Sequence, residues 1–303
     1  MNILITGGSG FLGSEITNLL SKNNNIYIYD INKNKNKNKK TIFYVRGNIN
    51  NINNISKCIK KYNIDTLFHL AAAIGVKKTE ENPSNVIKIN VEGTLNLLNS
   101  IKGSNIKRII FASSSEIYGE GNNKKVVEAD QPKPKSIYAH SKIIGEQFFK
   151  MYAKLHNIEY KIVRFFNVCG KGQKNDFVIS KFANFINHNK DLTIYGNGNQ
   201  IRSFCHVKDA ANGFVKVLIK GHKNETYNIG NNSEPISMKN LAKKMINISK
   251  KKIKIKKIRF ELSDRSATRE IYYRVPELKK IKNHTNYIPK INLNSIIAEF
   301  FKK

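Results

Sequence analysis

The glycine-rich run after the first apolar strand constrains the fold more than any other feature of the sequence. "NILIT" predicts a strand. The following "GGSGFLG" places Gly7, Gly8 and Gly10 before a helix predicted over 11–21, and Gly13 in its first turn. Glycines at this spacing permit a tight turn and a close approach of a pyrophosphate, while unpaired amides at the helix start supply donors. The motif alone is weak evidence, but its place between a strand and a helix predicts a dinucleotide-binding loop.

The second predicted strand, "IYIYD", ends in a carboxylate. Asp30 follows Gly10 by twenty residues, where a carboxylate accepts hydrogen bonds from both ribose hydroxyls and repels a 2′-phosphate. Asp30 therefore favours NAD over NADP. An alternative remains, since Lys33 or Lys35 could fold back toward a 2′-phosphate. We interpret the run from Asn32 to Lys40 as an exposed, flexible loop between the second and third strands.

Strand and helix patterns alternate through the first half of the chain. The predicted strands are 2–6, 26–30, 41–46, 65–73, 107–115 and 160–166, and the predicted helices are 11–21, 50–62, 83–101 and 138–156. Short apolar strands separated by helices indicate parallel pairing, because parallel neighbours need a crossover element. The sequence predicts an α/β fold with a Rossmann-like, doubly wound parallel sheet.

The second half is less regular. It predicts helices over 177–188, 208–219 and 238–248 and one after Pro289, with strands at "LTIYG", "RSFCHV", "TYNIG" and the basic "SKKKIKIKKIR" from Ser249. This mixture predicts a smaller mixed α/β lobe at the C-terminal end, over the carboxyl edge of the sheet, where doubly wound folds bind ligands. We expect residues 1–170 to bind NAD and 171–303 to form most of the substrate lobe, with a segment of about 203–232 returning to the first unit.

Composition limits the function classes. The 303 residues carry a formal net charge of +31, but the lysines are scattered and form no aromatic-interleaved basic motif. We expect solvated lysine faces with weak, salt-sensitive polyanion binding and no specific nucleic-acid recognition. Apolar runs are too short to span a membrane. Cys58, Cys169 and Cys205 lack metal spacing, and we expect His69 and His206 in the core. A soluble, cytoplasmic protein without a metal site is predicted.

A tyrosine and a lysine form the second chemical signal. In "SIYAHSK", Tyr138 and Lys142 share one face of a predicted helix. A phenol with its usual pKa of about 10 is a poor base at neutral pH. We expect the Lys142 ammonium to lower the pKa of Tyr138, so that the phenolate takes a proton from an alcohol while hydride leaves its carbon. A serine of "ASSSEIYG" is placed to hydrogen-bond the same oxygen.

With these motifs in place, the chain resembles the extended short-chain dehydrogenase/reductase family, the nucleotide-sugar epimerases and dehydratases. The matching stretches are "TGGSGFLG", "HLAAAIGV", "NVEGT", "SSSEIYG", "YAHSK", "RFFNVCG", "IYGNGNQIRSFCHV" and "DRSATREIYYRVPEL". The resemblance implies a permanently bound NAD that oxidises C4 of a nucleoside-diphosphate sugar and later returns the hydride. It also implies a homodimer formed through two helices of the main domain.

The resemblance assigns roles to individual positions. It implies a catalytic Ser114, Tyr138 and Lys142. Cofactor contacts are implied for Gly7, Gly10, Phe11, Leu12, Gly13, Asp30, Asn48, Ile49, Leu70, Ala71, Ala72, Asn90, Tyr138 and Lys142. Substrate contacts are implied for Ser114, Ser115, Asn167, Arg202 and Arg265. Arginine suits a diphosphate through its forked donors, although a surface ion pair is the alternative for Arg202 and Arg265. Two positions depart from the pattern: Asn48 replaces a common Asp, and Cys169 replaces a common Tyr.

Glu116 bears on the reaction that follows oxidation. A carboxylate beside a C4 ketone is placed to abstract the C5 proton and to assist loss of the C6 hydroxyl, so Glu116 is a fourth candidate catalytic residue. The same Glu occurs in dehydratases and UDP-glucuronate decarboxylases of the family, but Ser115 stands where dehydratases carry an Asp. We rank 4-epimerisation of a UDP-sugar first, dehydration or decarboxylation second, and net 4-oxidation or 4-keto reduction third.

Overall fold

The computed structural model describes residues 1–32, 40–121, 123–260 and 269–301. Residues 33–39 of the predicted lysine-rich loop, which include Lys33 and Lys35, lie outside these ranges, as does the predicted substrate residue Arg265. The strands are β1 (Asn2–Thr6), β2 (Asn25–Asp30), β3 (Ile42–Arg46), β4 (Thr66–His69), β5 (Arg108–Ser114), β6 (Glu159–Phe165), β7 (Val168–Cys169), β8 (Leu192–Tyr195), β9 (Ile201–Arg202), β10 (Cys205–His206), β11 (Glu225–Ile229), β12 (Ile236–Ser237), β13 (Ile255–Ile258) and β14 (Tyr273–Arg274).

The helices divide between the two faces of the main sheet and the C-terminal half. They are α1 (Phe11–Leu20), α2 (Ile52–Lys61), α3 (Val76–Glu81), α4 (Pro83–Val86), α5 (Gly93–Ser100), α6 (Ile137–His156), α7 (Val178–Asn187), α8 (Val207–Lys220), α9 (Met238–Ser249), α10 (Lys279–Thr285) and α11 (Leu293–Ala298). The helix predicted over 83–101 is present as α4 and α5 joined by a π-helical turn (Ile87–Glu92). The sequence patterns missed α3 and α10.

The main sheet has seven strands in the order β11-β6-β5-β4-β1-β2-β3. Every neighbouring pair is parallel. The predicted Rossmann-like sheet is therefore confirmed. Since parallel strands end at one edge, the sheet brings Thr6, Asp30, His69 and Ser114 to the same side of the molecule.

Apolar side chains cover both faces of this sheet. On one face Ile16 of α1 and Phe214 of α8 join a buried cluster, and on the other Leu97 of α5 and Phe149 of α6 join a second. A third cluster gathers α7, α9 and α11 of the C-terminal half around Phe182, Leu241 and Ile296. Each fully buried Leu, Ile or Phe stabilises the fold by about 2 kcal/mol. No helix within the described ranges combines the length and apolar character that crossing a bilayer requires.

Two predicted strands of the second half differ from the structure. "RSFCHV" contributes to two separate sheets, because β9 pairs with β12 and β14 whereas β10 pairs with β7. The basic strand is shorter than predicted. Helix α9 continues to Ser249 and stops at Lys250, whose φ of +57° is left-handed, and only β13 then pairs with β8. In both cases tertiary pairing, which a local pattern does not contain, decided the boundaries.

Candidate active site

A cavity of about 820 Å³ follows the carboxyl edge of the main sheet and continues under the C-terminal half. Its walls include the turn after β1, the ends of β2, β4 and β5, the start of α6, and side chains of α7, β8 and β9. Most of the site residues predicted from sequence line this cavity, because the parallel topology delivers several of their strand ends to one edge.

The glycine turn is shaped to approach another backbone closely. Gly7 has a φ of +72°, and a Cβ on it would lie 2.7 Å from the amide nitrogen of Ala71. A Cβ on Gly13 would lie 2.6 Å from the carbonyl oxygen of Gly7. The amide of Gly10 donates to that same carbonyl at 3.0 Å, which closes the turn. Both clashes are with backbone atoms, and Gly7 also lies in the left-handed region, so the turn requires glycine at these positions.

Asp30 connects the end of β2 to this turn. Its Oδ2 accepts a hydrogen bond from the Ser9 amide at 3.1 Å, and its Oδ1 accepts one from the Asn32 amide at 3.0 Å. The hydroxyl of Ser9 is buried in the cavity wall and has no hydrogen-bond partner within the described part of the chain. Asp30 therefore faces the turn as a fixed, largely buried acceptor, with an unused hydroxyl beside it.

The other predicted cofactor residues fall into two groups. Those that line the cavity with the glycine turn and Asp30 are Phe11, Leu12, Asn48, Ile49, Leu70, Ala71 and Ala72. Asn90 is not among the lining residues. Its Oδ1 accepts from the Ala73 amide at 2.7 Å, and its Nδ2 donates to the Ala73 carbonyl and to Ser141 Oγ. The structure thus places Asn90 behind the wall, where it fixes the segment after β4.

The predicted catalytic residues meet at the start of α6. Ser136 caps this helix by accepting a hydrogen bond from the Ala139 amide at 3.0 Å, which places Tyr138 in the first turn, beside the end of β5. A hydrogen bond with Ser114 lowers the pKa of Tyr138, but burial and the negative charge of Glu116 outweigh it. The net direction is upward from the ordinary value. The net lowering of the pKa of Tyr138 expected from Lys142 is therefore not found in this arrangement.

Lys142 lies one turn further along α6 and is buried. Its Nζ donates to the Ala112 carbonyl at 2.9 Å and lies 4.9 Å from the centre of the Phe111 ring and 5.8 Å from that of Tyr138. Burial lowers the pKa of Lys142 to about 8, against an opposing effect of Glu146. The ammonium is thus close to Tyr138 and anchored to β5.

Glu116 and Arg274 form a charged pair next to Tyr138. Glu116 Oε1 lies 3.7 Å from Arg274 Nη1, and Ser136 donates to Glu116 Oε2 at 3.4 Å. Arg274 also donates through Nη2 to Asn167 Oδ1 at 2.9 Å, and its charge lowers the pKa of Tyr138. The Nε of Arg274 is buried and has no hydrogen-bond partner within the described ranges. Asn167, Arg274 and Glu116 therefore form a connected polar wall of the cavity.

The remaining substrate candidates occupy different settings. Ser115 is buried and lines the cavity beside Glu116. Arg202 lines it too and donates to Glu270 Oε1 at 2.9 Å. Arg265 lies outside the described residues. Sequence reasoning missed several lining residues with polar side chains. These are Gln173, Lys174, Asp176, Lys181, Tyr195, Arg269 and Arg274. Arg269 and Arg274 lay in the matching stretch "DRSATREIYYRVPEL", but spacing could not show which arginines reach the cavity.

His69 and the three cysteines have no role in the candidate active site. His69 is buried between Thr6 Oγ1 at 2.7 Å and Thr94 Oγ1 at 2.9 Å, and burial lowers its pKa to about 3. The thiols of Cys58, Cys169 and Cys205 are free and buried, and burial raises their pKa values. Cys169 is accordingly no nucleophile. Across the described part of the chain, His, Cys, Asp and Glu form no cluster suited to a metal ion.

The sequence comparisons point to one family with several activities. A family model described as "NAD dependent epimerase/dehydratase family" matches residues 3–230. The putative UDP-glucose 4-epimerase of Methanocaldococcus jannaschii is 36% identical over 249 residues, which cover 77% of this chain and 77% of that protein. The UDP-N-acetyl-alpha-D-glucosaminuronate decarboxylase of Bacillus cytotoxicus is 32% identical over 98% of this chain and 95% of its own length. dTDP-D-glucose 4,6-dehydratases also match.

The structural comparison agrees with the sequence comparisons. UDP-glucuronic acid 4-epimerase from Bacillus cereus, crystallised with UDP-glucuronic acid and NAD, superposes with a TM-score of 0.89 at 27% identity. The superposition covers 99% of this chain and 98% of that one. The architecture is therefore shared from end to end, including the C-terminal half that closes the cavity.

Proposed function

Because the chain belongs to the NAD dependent epimerase/dehydratase family, we propose that it is a nucleoside-diphosphate-hexose 4-epimerase with NAD as its cofactor. One observation carries this proposal: three features line the same cavity. They are the glycine turn with Asp30, the pair Ser114 and Tyr138, and the connected polar wall of Asn167, Arg274 and Glu116.

The residues present suit NAD. A Cβ at Gly7 or Gly13 would meet backbone, so these glycines keep the turn tight and allow a pyrophosphate to approach the amides at the start of α1. The buried carboxylate of Asp30 suits a ribose diol, and its charge disfavours a 2′-phosphate. The partnerless Ser9 hydroxyl adds a donor between these two places. When bound, NAD supplies the acceptor for the hydrogen and electron pair that leave C4, and it later returns them.

Tyr138 is the proposed base for the C4 hydroxyl. Its phenol rests neutral because burial and Glu116 raise its pKa. Removal of the C4 proton therefore depends on the groups that favour the phenolate, which are the Ser114 hydroxyl, Arg274 and the nearby Lys142 ammonium. Ser114 also holds the substrate oxygen in line with the phenol. After oxidation, an epimerase needs only rotation of the keto sugar, return of the hydride to the opposite face of C4, and return of the proton from Tyr138 to the C4 oxygen.

Glu116 and Ser115 support epimerisation over dehydration. Dehydration needs a base for the C5 proton and an acid for the departing C6 hydroxyl. Glu116 Oε1 already contacts Arg274 at 3.7 Å and its Oε2 accepts from Ser136 at 3.4 Å, so both carboxylate oxygens are engaged. Ser115, at the position preceding it, is not an acid. The wall beside Tyr138 thus offers one engaged carboxylate where dehydration would use two carboxyl groups.

A decarboxylase is the second candidate, and the Glu116–Arg274 pair favours it. A 4-keto uronate loses carbon dioxide without a dedicated acid, and a guanidinium such as that of Arg274 can bind a sugar carboxylate. The near full-length match to a sugar-nucleotide decarboxylase is consistent with this alternative. Dehydration and net 4-oxidation or 4-keto reduction rank after it.

The substrate is proposed to be a UDP-sugar. Arg202 and Arg274 are register partners in the parallel pair of β9 and β14 and both line the cavity, and their forked donors suit a diphosphate. The formal charge of +31 helps to attract such an anion, which affects encounter rather than chemistry. Arg265 remains a predicted third contact.

The test is incubation of the purified protein with UDP-glucose, UDP-galactose, UDP-glucuronate and dTDP-glucose, followed by NMR and mass spectrometry. The proposal predicts a product of unchanged mass with inverted C4 and no external NAD consumed. Loss of water would identify a dehydratase, and release of carbon dioxide a decarboxylase. Glu116→Gln sharpens the result: epimerisation should survive within about tenfold, whereas a reaction that uses Glu116 as base should fall by at least about 100-fold.

A homodimer is proposed as the assembly. Exposed apolar side chains lie on the two neighbouring helices α5 and α6: Leu95 on the first, and Ile144, Met151 and Leu155 on the second, with Leu155 77% exposed. A second copy would cover them. Light scattering should give twice the mass of 34.6 kDa, and Met151→Lys combined with Leu155→Lys should give a monomer. A monomeric parent protein would contradict the dimer.

Two expectations stay predictions: that the protein is cytoplasmic, and that the NAD-binding domain gives way to the substrate lobe near residue 170.

A further inference from the structure

The buried carboxylate of Glu146 follows Tyr138 and Lys142 along helix α6. Tyr138, Lys142 and Glu146 recur every four residues along one face of α6. Lys142 and Glu146 are only 4% and 2% exposed. A carboxylate is rarely buried this deeply without a defined set of partners, because the charged form loses its hydration.

The partners of Glu146 come from two strands of the main sheet. Ser113 of β5 donates to Oε1 at 2.6 Å, and Arg164 of β6 donates to Oε1 through Nε at 2.9 Å and to Oε2 through Nη2 at 2.7 Å. Arg164 is itself fixed by donation to Tyr118 Oη at 2.8 Å and to the Glu128 carbonyl at 3.0 Å. This bidentate pair, together with Ser113, fixes the carboxylate of Glu146 between α6 and the main sheet.

Glu146 is placed to act on Lys142. Buried Lys142 pays a desolvation cost that lowers its pKa to about 8, and Glu146 is the group whose charge raises that pKa. From β4, His69 faces the same region, but its low pKa keeps it neutral. From β5, the Ala112 carbonyl accepts from the ammonium, and the Phe111 ring covers it.

The charges around Tyr138 complete the environment. Glu116 raises and Arg274 lowers the pKa of that phenol from the cavity side. Arg164, bound to Glu146, is the second cation on the sheet side of α6. Without Glu146, Lys142 and Arg164 would be buried cations with no carboxylate between them.

We propose that Glu146 is a positioning residue for the oxidation: held by Arg164 and Ser113, its carboxylate keeps Lys142 charged behind Tyr138. A neutral Lys142 amine would no longer favour the Tyr138 phenolate. Glu146 therefore acts on the base through Lys142, without contact with the substrate. This inference rests on the proposed C4 oxidation for its catalytic consequence, but the ionisation of Lys142 is measurable by itself.

The test is a side-chain NMR titration of the ¹⁵N-lysine-labelled holoenzyme. The Lys142 resonance is identified by its loss in Lys142→Met. The parent midpoint is expected near the pKa of about 8. Glu146→Gln, which keeps shape but removes charge, should lower it by about one pH unit. Glu146→Asp, which disturbs the fit but keeps charge, should leave it near the parent value. An unchanged midpoint in Glu146→Gln, or an equal shift in Glu146→Asp, would overturn the proposal.

Glu159→Gln is the matched control. Glu159 begins β6, at the opposite end from the cavity, and contacts Lys161 at 2.9 Å and Arg108 at 3.4 Å. Its replacement also removes a largely buried carboxylate, so it should cost stability without moving the Lys142 midpoint. Where Glu146→Gln does not fold, Arg164→Gln supplies the converse measurement. Loss of this cation should raise the midpoint, and a lowered one would contradict the proposal.

Activity separates this inference from the proposed function. In an active parent enzyme, the fall of kcat at high pH should move to lower pH in Glu146→Gln by the same amount as the NMR midpoint. A merely structural role would reduce kcat and leave the pH profile in place, which would refute the inference alone. A parent enzyme inactive on every sugar nucleotide would refute the proposed function, while the titration would still decide the role of Glu146.

Discussion

Lys142 Nζ lies 5.8 Å from the centre of the Tyr138 ring and is bound to the Ala112 carbonyl of β5. The lysine is therefore held at a fixed distance from the phenol and does not bond to it directly. In this arrangement burial dominates the phenol, whose pKa is raised, and the ammonium, whose pKa is lowered to about 8. Both shifts disfavour the charged form of the group concerned.

Tyr138→Phe should reduce turnover by at least about 100-fold, because it removes the proposed base while keeping the ring. Tyr152→Phe is the control on the same helix, since the Tyr152 hydroxyl is buried without a hydrogen-bond partner in the described chain. It should retain nearly full activity. The measurement is kcat for the sugar nucleotide, with thermal melting to confirm folding. Equal activities for the two variants would remove Tyr138 from the chemistry.

Asp30→Asn should weaken NAD binding by about 10- to 100-fold, because hydrogen bonds to a charged acceptor contribute about 1.5–3 kcal/mol. It should also narrow the preference for NAD over NADP, since the charge that repels a 2′-phosphate is gone. Calorimetric titration of cofactor-free protein measures both affinities. Asp191→Asn, at an exposed site paired with Lys256, should change neither. A parent protein that binds NADP as tightly as NAD would contradict the role given to Asp30.

Gly7→Ala should destabilise the fold far more than Gly103→Ala. The two glycines have similar left-handed φ values of +72° and +69°. A Cβ on Gly7 would lie 2.7 Å from the Ala71 backbone, whereas a Cβ on Gly103 would meet nothing within 4 Å. Gly103→Ala is therefore expected to cost about 1 kcal/mol from its φ alone, and Gly7→Ala about 3 kcal/mol or more. Chemical denaturation measures the two costs, and equal values would mean that the close approach is unimportant.

Stability should fall in mild acid because of His69. Burial holds its pKa near 3, well below the ordinary value of 6.5, so the unfolded chain binds the proton first. Between these two values the unfolding free energy decreases as the pH falls, by up to about 3 kcal/mol from pH 6.5 to pH 4. His69→Gln should flatten this slope, whereas His188→Gln, on the surface, should not. Identical slopes for the parent and His69→Gln would refute the assignment.

The sequence predicted the main sheet well because its signals are local. Each strand is a short apolar run, each crossover is a helix, and the glycine turn and Asp30 lie at positions fixed by adjacent elements. The same holds for Tyr138 and Lys142, whose spacing within one helix places them together. Their convergence with Ser114 then follows from the parallel order of the strands.

The rest depended on long-range packing. Arg274 reaches Glu116 and Asn167 from more than 100 residues away, and no periodic pattern marks it. The pKa of Tyr138 was predicted with the wrong sign, because spacing showed the nearby ammonium but not the burial or the charge of Glu116. Asn90 lies in a matching motif but supports Ala73 from behind the cavity wall. Motifs identified the participants, and packing decided their electrostatics.

The central claim is that Tyr138 and the bound cofactor together oxidise and then reduce C4 of a sugar nucleotide. The most direct test is turnover of a substrate carrying deuterium at C4, with NMR and mass analysis of the product. The account predicts slower turnover than with unlabelled substrate and a product sugar that keeps the label, at an inverted C4 for an epimerase. A product that has exchanged the deuterium for solvent hydrogen would contradict it.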